Sequence, residues 1–254
     1  MSTPGGSRDG QQMVAGHERM RRMILTGELP PGAELSQTEL GEILELGRTP
    51  LREVLRLLHE EGLVIATPNR RVRIAELSAA DVEDLYVVRL SLELVAIRET
   101  VASRTEPDIA AMEGLLTQID YYASVGDVAE ADHPHAEFHA RLVAGAGPRA
   151  RATIARLADH ASRYRYANVV LAPDSWEQRR AEHRAVLDAV KARDADAAVT
   201  ALAGHYLASV GHVMAGVDPS YDPEGLRIAV AALAPDAVDL VPRADRTSVE
   251  GVTT

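Results

Sequence analysis

The stretch Gly47–Leu63, GRTPLREVLRLLHEEGL, decides how this chain is read. Pro50 suits the first position of a helix, with Thr49 as its N-cap, and Gly62 suits the position just past its end. Between them Leu51, Val54, Leu55 and Leu58 recur at i, i+3, i+4 and i+7, which makes one buried stripe. Arg48, Arg52, Arg56 and His59 stand about a turn apart on the opposite face. A helix with an apolar back and an arginine front fits a DNA major groove. There Arg can take guanine bidentately and the helix N-terminus can meet a phosphate. The plainer alternative is a surface helix with solvated charges, so the neighbouring segments decide.

Upstream, Met13, His17, Met20 and Ile24 repeat at helical spacing and Gly27 closes that helix. ELPPGAEL reads as an extended connector, because its two prolines forbid a helix. Ser36 with Glu39 makes a capping box, and Leu40, Ile43 and Leu44 give a short second helix. Downstream, LVIAT, PNRR and VRIA read as two strands around a turn. Helix, helix, turn, helix, hairpin over residues 11–76 predicts a winged helix-turn-helix, with Arg70, Arg71 and Arg73 on or beside the wing. Residues 1–10 are a Gly/Ser tail expected to be disordered.

Composition bounds the rest. The 254 residues allow one large domain or two modest ones; 46% are hydrophobic and only 4% aromatic, so Ala, Leu and Val fill helical interiors. No apolar run approaches a membrane span and no signal peptide is visible, so the expectation is a soluble, cytoplasmic protein without membrane partners. Cysteine is absent, which excludes disulfides and thiolate metal sites. The net charge of −11 looks wrong for a DNA binder until it is divided. Residues 1–76 hold 10 Arg against 11 Asp and Glu, and the other 27 acidic residues lie beyond. A near-neutral module with clustered arginines can still bind phosphate, since the local field governs contact.

After a linker at 77–80, residues 81–216 are a succession of helical patterns, near 79–103, 107–125, 134–145, 148–168, 174–192 and 194–215. No strand alternation interrupts them, which predicts an all-α antiparallel bundle. Residues 217–254, rich in Pro, Asp and small residues, are expected to form a flexible tail with one short helix near Leu226–Leu233. The fold class is therefore mainly α, a small α+β winged module followed by a helical bundle.

Histidines are the notable feature of the bundle. His135 and His139 stand at i and i+4 on a helix that Pro134 is expected to begin, and two imidazoles one turn apart can share a metal ion. His183 lies on the Trp176/Leu187/Val190 stripe and His205 on the Ala198/Leu202/Ser209 stripe, so both should point inward. Any one of them alone reads as a hydrogen-bonded core residue; four on three helices do not. His17, His59, His133, His160 and His212 carry no such pattern. Arg89 lies on the buried stripe of the first bundle helix, where a guanidinium needs an anion, either Glu93 or a ligand. Arg156, Arg163, Tyr164 and Tyr166 are further lining residues that spacing does not select.

Residues 20–76, with ILTGELPPGAEL, LGEILELGRTPLREVL, LLHEEGLV and TPNRRVRIAEL, resemble the DNA-binding domain of GntR-family transcription regulators. The likeness implies operator contacts by Arg48, Thr49 and Arg52, and a wing reaching the minor groove. The family usually has Gly where this chain has Glu45 and Arg71, positions expected to need φ > 0. VRLSLELVA, FHARL and AEHRAVLDAVKARDADAA resemble the effector-binding bundle of the FadR-like, FCD-type subgroup. That likeness implies a divalent metal held by an Asp and three His, here His139, His183 and His205, and an Arg matching Arg89 that helps hold an effector carboxylate.

His135 stands where the usual Asp would be. Four neutral imidazoles around a dication leave a local charge near +2 instead of +1, and nitrogen-rich ligation suits zinc first, with nickel or another transition metal as the alternative. Asp132 could replace the missing carboxylate, but Pro134 is expected to leave it outside the helix. The implied function is a homodimeric repressor of double-stranded operator DNA, modulated by a small organic acid. Its alternatives are a direct metal sensor, or a metal-dependent enzyme using Glu137 or Glu182, two carboxylates otherwise expected to be solvated.

Overall fold

Leu51, Val54, Leu55 and Leu58 are all buried, and the helix they line, α3 (Arg48–Glu60), organises the first of two units, residues 1–77 and 78–254. The computed structural model describes residues 8–67, 71–172 and 175–244. Before α3 come α1 (Arg8–Leu25), β1 (Glu34–Ser36) and α2 (Gln37–Leu44); after it come β2 (Val64–Thr67) and β3 (Arg71–Ile74). The three strands form one antiparallel sheet in the order β1-β3-β2, with Glu34 opposite Arg73 and Ser36 opposite Arg71. This is a winged helix-turn-helix.

Several expectations need correction here. The helix α1 starts at Arg8, so residues 8–10 of the tail expected over 1–10 are helical; residues 1–7 lie outside the described residues, as does Arg70. The connector ELPPGAEL carries a strand, because its C-terminal half leaves the prolines behind and pairs with β3. Helix α3 begins two residues earlier than expected, with Gly47 as N-cap; Pro50 sits in the first turn, where its missing N–H is still one that no helical carbonyl awaits. Gly62 closes it at φ 69°, as expected.

The Ser36–Glu39 capping box is present in both directions. Glu45 caps α2 in the left-handed region, φ 55° and ψ 38°, as its place in the turn requires. Arg71, by contrast, sits in the β3 ladder and is not among the positive-φ residues, so no strain attaches to it.

The second unit contains α4 (Ala79–Ser103), α5 (Glu106–Ser124), α6 (Val128–Leu142), α7 (Pro148–Leu171), α8 (Trp176–Lys191), α9 (Ala195–Val217) and α10 (Glu224–Leu233). Helices α4 and α9 pack along one another; α7 lies on both, α8 on α9, and α5 on α6 and α8. The starts are set by side-chain caps: Ser78 accepts from Asp81 N–H, Thr105 forms a capping box with Asp108, and Asp194 accepts from Ala197 N–H. No helix among the described residues is long and apolar enough to cross a membrane.

Helix α6 corrects the expectation of a start at Pro134. Asp127 caps it, its side chain accepting from Glu130 N–H, seven residues before Pro134, and the proline sits buried inside the helix. Asp132 is therefore helical. The end of α6 is held close to α4 by Gly145: its N–H donates to Thr100 Oγ1 at 2.8 Å, and a Cβ there would meet the Thr100 backbone N at 2.6 Å.

The tail expected to be flexible over 217–254 is docked over the residues described. Leu226 and Val230 of α10 and Ala234, Ala237 and Val241 beyond it are buried, and α10 packs on α4. The physical reason is a partner the sequence pattern does not reveal. Glu83, buried on α4, accepts from Leu226 N–H at 3.1 Å and from the Tyr221 hydroxyl, so it satisfies the start of a helix that lacks a side-chain cap of its own.

Two outcomes follow for stability. Leu226→Ala should destabilise the second unit by about 2–5 kcal/mol in urea unfolding, where a floppy tail would give no change. Glu45→Gly should stabilise the first unit by about 1 kcal/mol by removing the left-handed penalty.

Candidate metal centre and DNA-facing helix

Helix α6 presents His135 and His139 one turn apart, α8 presents His183, and α9 presents His205. One ligand nitrogen from each lies within 4.8 Å of the others. His139, His183 and His205 are buried, and the ring centroids of His135 and His139 are 4.5 Å apart, those of His183 and His205 4.3 Å. The structure thus brings together all four histidines singled out from spacing.

Hydrogen bonds fix which nitrogen faces the centre. Glu182 Oε2 accepts from His205 Nδ1 at 3.1 Å, which leaves the His205 Nε2 lone pair free. His139 Nδ1 meets the Tyr206 hydroxyl at 3.1 Å, and His183 bonds the backbone of Arg179. The Nε2 atoms of His139 and His183 then face each other at 3.4 Å. A tetrahedral ion with metal–nitrogen bonds of about 2.0–2.1 Å has an N···N edge of about 3.3 Å.

Burial, then the neighbouring imidazoles and Arg165, holds His135 well below the usual imidazole range. Burial followed by His205 and His183 does the same for His139, and burial followed by His205 for His183. Those three rings are therefore neutral and carry lone pairs, the form a metal requires. His135 Nδ1 is buried without a hydrogen-bond partner. An orphaned imidazole nitrogen beside two opposed lone pairs fits a bound transition-metal ion.

The carboxylates divide differently from expectation. Glu182 is not solvated but bonded to His205, with its side chain 17% exposed. Glu137 pairs with Arg141 at 2.9 Å near the surface. Asp132, although helical, is taken up by Arg165. The His135 substitution therefore stands without a carboxylate in its place.

Arg89 is buried on α4 and needs compensation there. Its Nε donates to Glu93 Oε1 at 2.8 Å and its Nη2 to the Tyr206 hydroxyl at 2.9 Å; the guanidinium also lies 4.4 Å from the Tyr206 ring centroid and 4.9 Å from that of Tyr86. Burial alone would lower its pKa, but Glu93 raises it and keeps the charge. Of the two anions considered from sequence, the internal one is present. The spacing of the histidines does not select Tyr206; its place directly after His205, one turn beyond Leu202 on the inward stripe, is the signal the sequence offers for it. Arg163 and Tyr164 both bond Asp81 at the start of α4, and Arg156 is exposed, so none of these joins the centre. Among the remaining histidines, His17 pairs with Glu61, His59 Nδ1 bonds Val64 O at 3.0 Å, and His212 bonds Asn168 at 2.9 Å.

In the first unit Arg48, Thr49 and Arg52 are exposed along the front of α3, and neither arginine has an ion pair among the described residues. Arg56 is different: Glu53 and Glu60 take its Nε and Nη1 at 3.0 and 2.6 Å. Arg71 lies 3.6 Å from Glu34 and Arg73 3.6 Å from Glu76. The free donors thus concentrate at the N-terminal turn of α3, where the helix dipole also favours an anion.

Comparison with known proteins bears on both units. The model of the bacterial regulatory proteins of the gntR family matches residues 15–74, and that of the FCD domain matches residues 84–208. The chain belongs to the GntR family of transcriptional regulators with an FCD-type second domain. It is similar to the Escherichia coli (strain K12) transcriptional repressor GlaR, 29% identical over 77% of this chain and 92% of that protein. It also resembles the uncharacterized regulator YdhC of Bacillus subtilis (strain 168), 29% identical over 41% of this chain; that match spans only 46% of YdhC. The structure of E. coli McbR/YncC shares the fold, with a TM-score of 0.68 at 21% identity over 81% of this chain and 98% of that one. These relatives and domains are regulators, not enzymes, and the metal-dependent enzyme considered from sequence is set aside.

Zinc should raise the thermal midpoint of the second unit by an amount equivalent to about 2.7 kcal/mol at a free concentration 100 times its Kd. Calorimetry with zinc and then with chelator checks this. The rise should vanish when His139 and His183 are both replaced by Ala.

Proposed function

We propose that this GntR-family regulator is a homodimeric repressor whose operator binding is modulated by a small organic acid held beside a metal ion. The ion sits among His135, His139, His183 and His205, with zinc the best fit to an all-nitrogen set. A dimer carries two copies of α3 to successive major grooves of a near-palindromic operator, where Arg48 and Arg52 read base edges and Thr49 meets the backbone. The repressor role follows the named relative GlaR. The observation that carries the effector reading is the convergence of four inward imidazoles next to the buried Arg89, inside an FCD domain.

Charge accounts for the choice of an acid. The four imidazoles are taken as neutral ligands, Arg89 is balanced by Glu93, and Arg165 by Asp132. Glu182, bonded to His205, and Arg179, which acts on His183, are of opposite sign and interact with each other, so the described residues bring little net charge to the centre. A bound divalent ion supplies an uncompensated Lewis-acidic charge that favours an anionic oxygen ligand. Arg89 is the donor nearest at hand for the acid's second oxygen or second carboxylate, with Glu93 released in exchange. An effector that binds both states of the protein equally would change nothing, so its contacts must differ between the free and operator-bound forms.

The test is a gel-shift titration against DNA flanking the protein's own gene, near physiological salt with excess nonspecific competitor, because charge-driven binding alone is salt-labile. A discrete competitor-resistant complex is expected, weakened by about 1–3 kcal/mol for each of Arg48→Ala and Arg52→Ala. Arg56→Ala should cost less, since Glu53 and Glu60 already occupy that side chain. Release of the complex by chelator alone would make the ion itself the signal. A complex unaffected by the double Arg48 and Arg52 variant would overturn the reading of α3.

A further inference from the structure

The Tyr206 hydroxyl holds three polar partners at once, all buried. It donates to Glu93 Oε2 at 2.6 Å, accepts from Arg89 Nη2 at 2.9 Å, and lies 3.1 Å from His139 Nδ1. A phenol has one proton and two lone pairs. At neutral pH a phenol keeps that proton on its oxygen. With the proton given to the Glu93 carboxylate and one lone pair filled by Arg89, the remaining lone pair can only accept. His139 must therefore carry its proton on Nδ1 and turn its Nε2 lone pair to the opposed His183 Nε2 at 3.4 Å.

We propose that Tyr206 is the positioning residue of the centre: it fixes the tautomer and orientation of His139 and joins that ligand to Arg89. This rests on the metal reading above and deepens it. The Tyr206 ring supports the same geometry, lying nearly parallel to His139 (21°) at 5.6 Å and edge-on to Tyr86 at 5.5 Å. The join gives the site a means of sensing. Arg89 and His139 donate to one oxygen, so each donor weakens what the other receives. When Arg89 turns to an external carboxylate, the phenol oxygen loses a donor and accepts more strongly from His139. A more firmly held Nδ1–H makes Nε2 a better ligand, so occupancy at Arg89 tightens the metal, and the reverse follows by linkage.

The test uses the whole 254-residue chain and zinc alone. Tyr206→Phe keeps the ring and its packing and leaves Arg89 paired with Glu93. Its zinc Kd, measured against a chromophoric chelator, should rise about 10–100-fold. Tyr164→Phe removes another buried hydroxyl, one that bonds Asp81 away from the centre, and should leave the zinc Kd unchanged. Nitrogen-15 spectra of metal-free protein provide a readout that packing does not move: His139 should be the Nδ1–H tautomer in the parent and a mixture in Y206F. R89K keeps a charge for Glu93 but gives up the second donor arm; it should change zinc affinity in the Tyr206 parent and not in the Y206F background. Equal zinc affinity and an unchanged His139 tautomer in Y206F would overturn the positioning role, and equal R89K effects in both backgrounds would overturn the join. If the parent bound no zinc, the metal reading would fail, while the tautomer spectra would still decide the role of Tyr206.

Discussion

A guanidinium removed from water has to be neutralised and hydrogen-bonded where it lies, and Arg89 imposes that requirement on the second unit. Glu93, one turn on, supplies the charge, and Tyr206 of α9 supplies the acceptor for the outer nitrogen. The pairing sets how α4 meets α9. Because Tyr206 follows His205 and touches His139, the same contact fixes where two of the four imidazoles stand. Helix α6 is drawn to the pair from its far end, where Gly145 lets the chain close on Thr100. Two of the four imidazoles thus owe their place to the satisfaction of one buried charge, and breaking that pair would leave either Arg89 or Glu93 alone in the interior, typically about 3–5 kcal/mol.

The same economy of charge separates the roles of the arginines. Those with acids at hand, Arg56, Arg71 and Arg73, are bonded within the winged module, and Arg165 is bonded to Asp132 in the bundle. Among the described residues Arg48 and Arg52 have no such partners, and they stand at the positive end of α3. A chain of net charge −11 can meet DNA through this turn because Glu34, Glu53, Glu60 and Glu76 are spent on its other arginines and the local field governs contact.

What was legible in the sequence was periodic. The stripe Leu51, Val54, Leu55, Leu58 and the i, i+4 pair His135 and His139 are local patterns, and local patterns survive folding when nothing competes. Helix α4 likewise follows its Ser78–Asp81 cap to the residue. The start of α6 departs from the local pattern because Pro134 looks like a first-turn proline, whereas Asp127 caps the helix about two turns earlier. The docking of α10 depends on Glu83, more than 130 residues upstream, and the roles of Glu182 and Tyr206 depend on contacts between helices. Such partners leave no trace at fixed spacing. They emerge only when the buried donors and acceptors are counted.

The most direct test of the account is X-ray absorption at the zinc edge on stoichiometrically loaded protein, since outer-shell scattering counts imidazole rings. The account predicts four imidazoles at metal–nitrogen distances of about 2.0–2.1 Å. Three imidazoles with a carboxylate, or two or fewer, would contradict it and return His135 to the ordinary interior of the bundle.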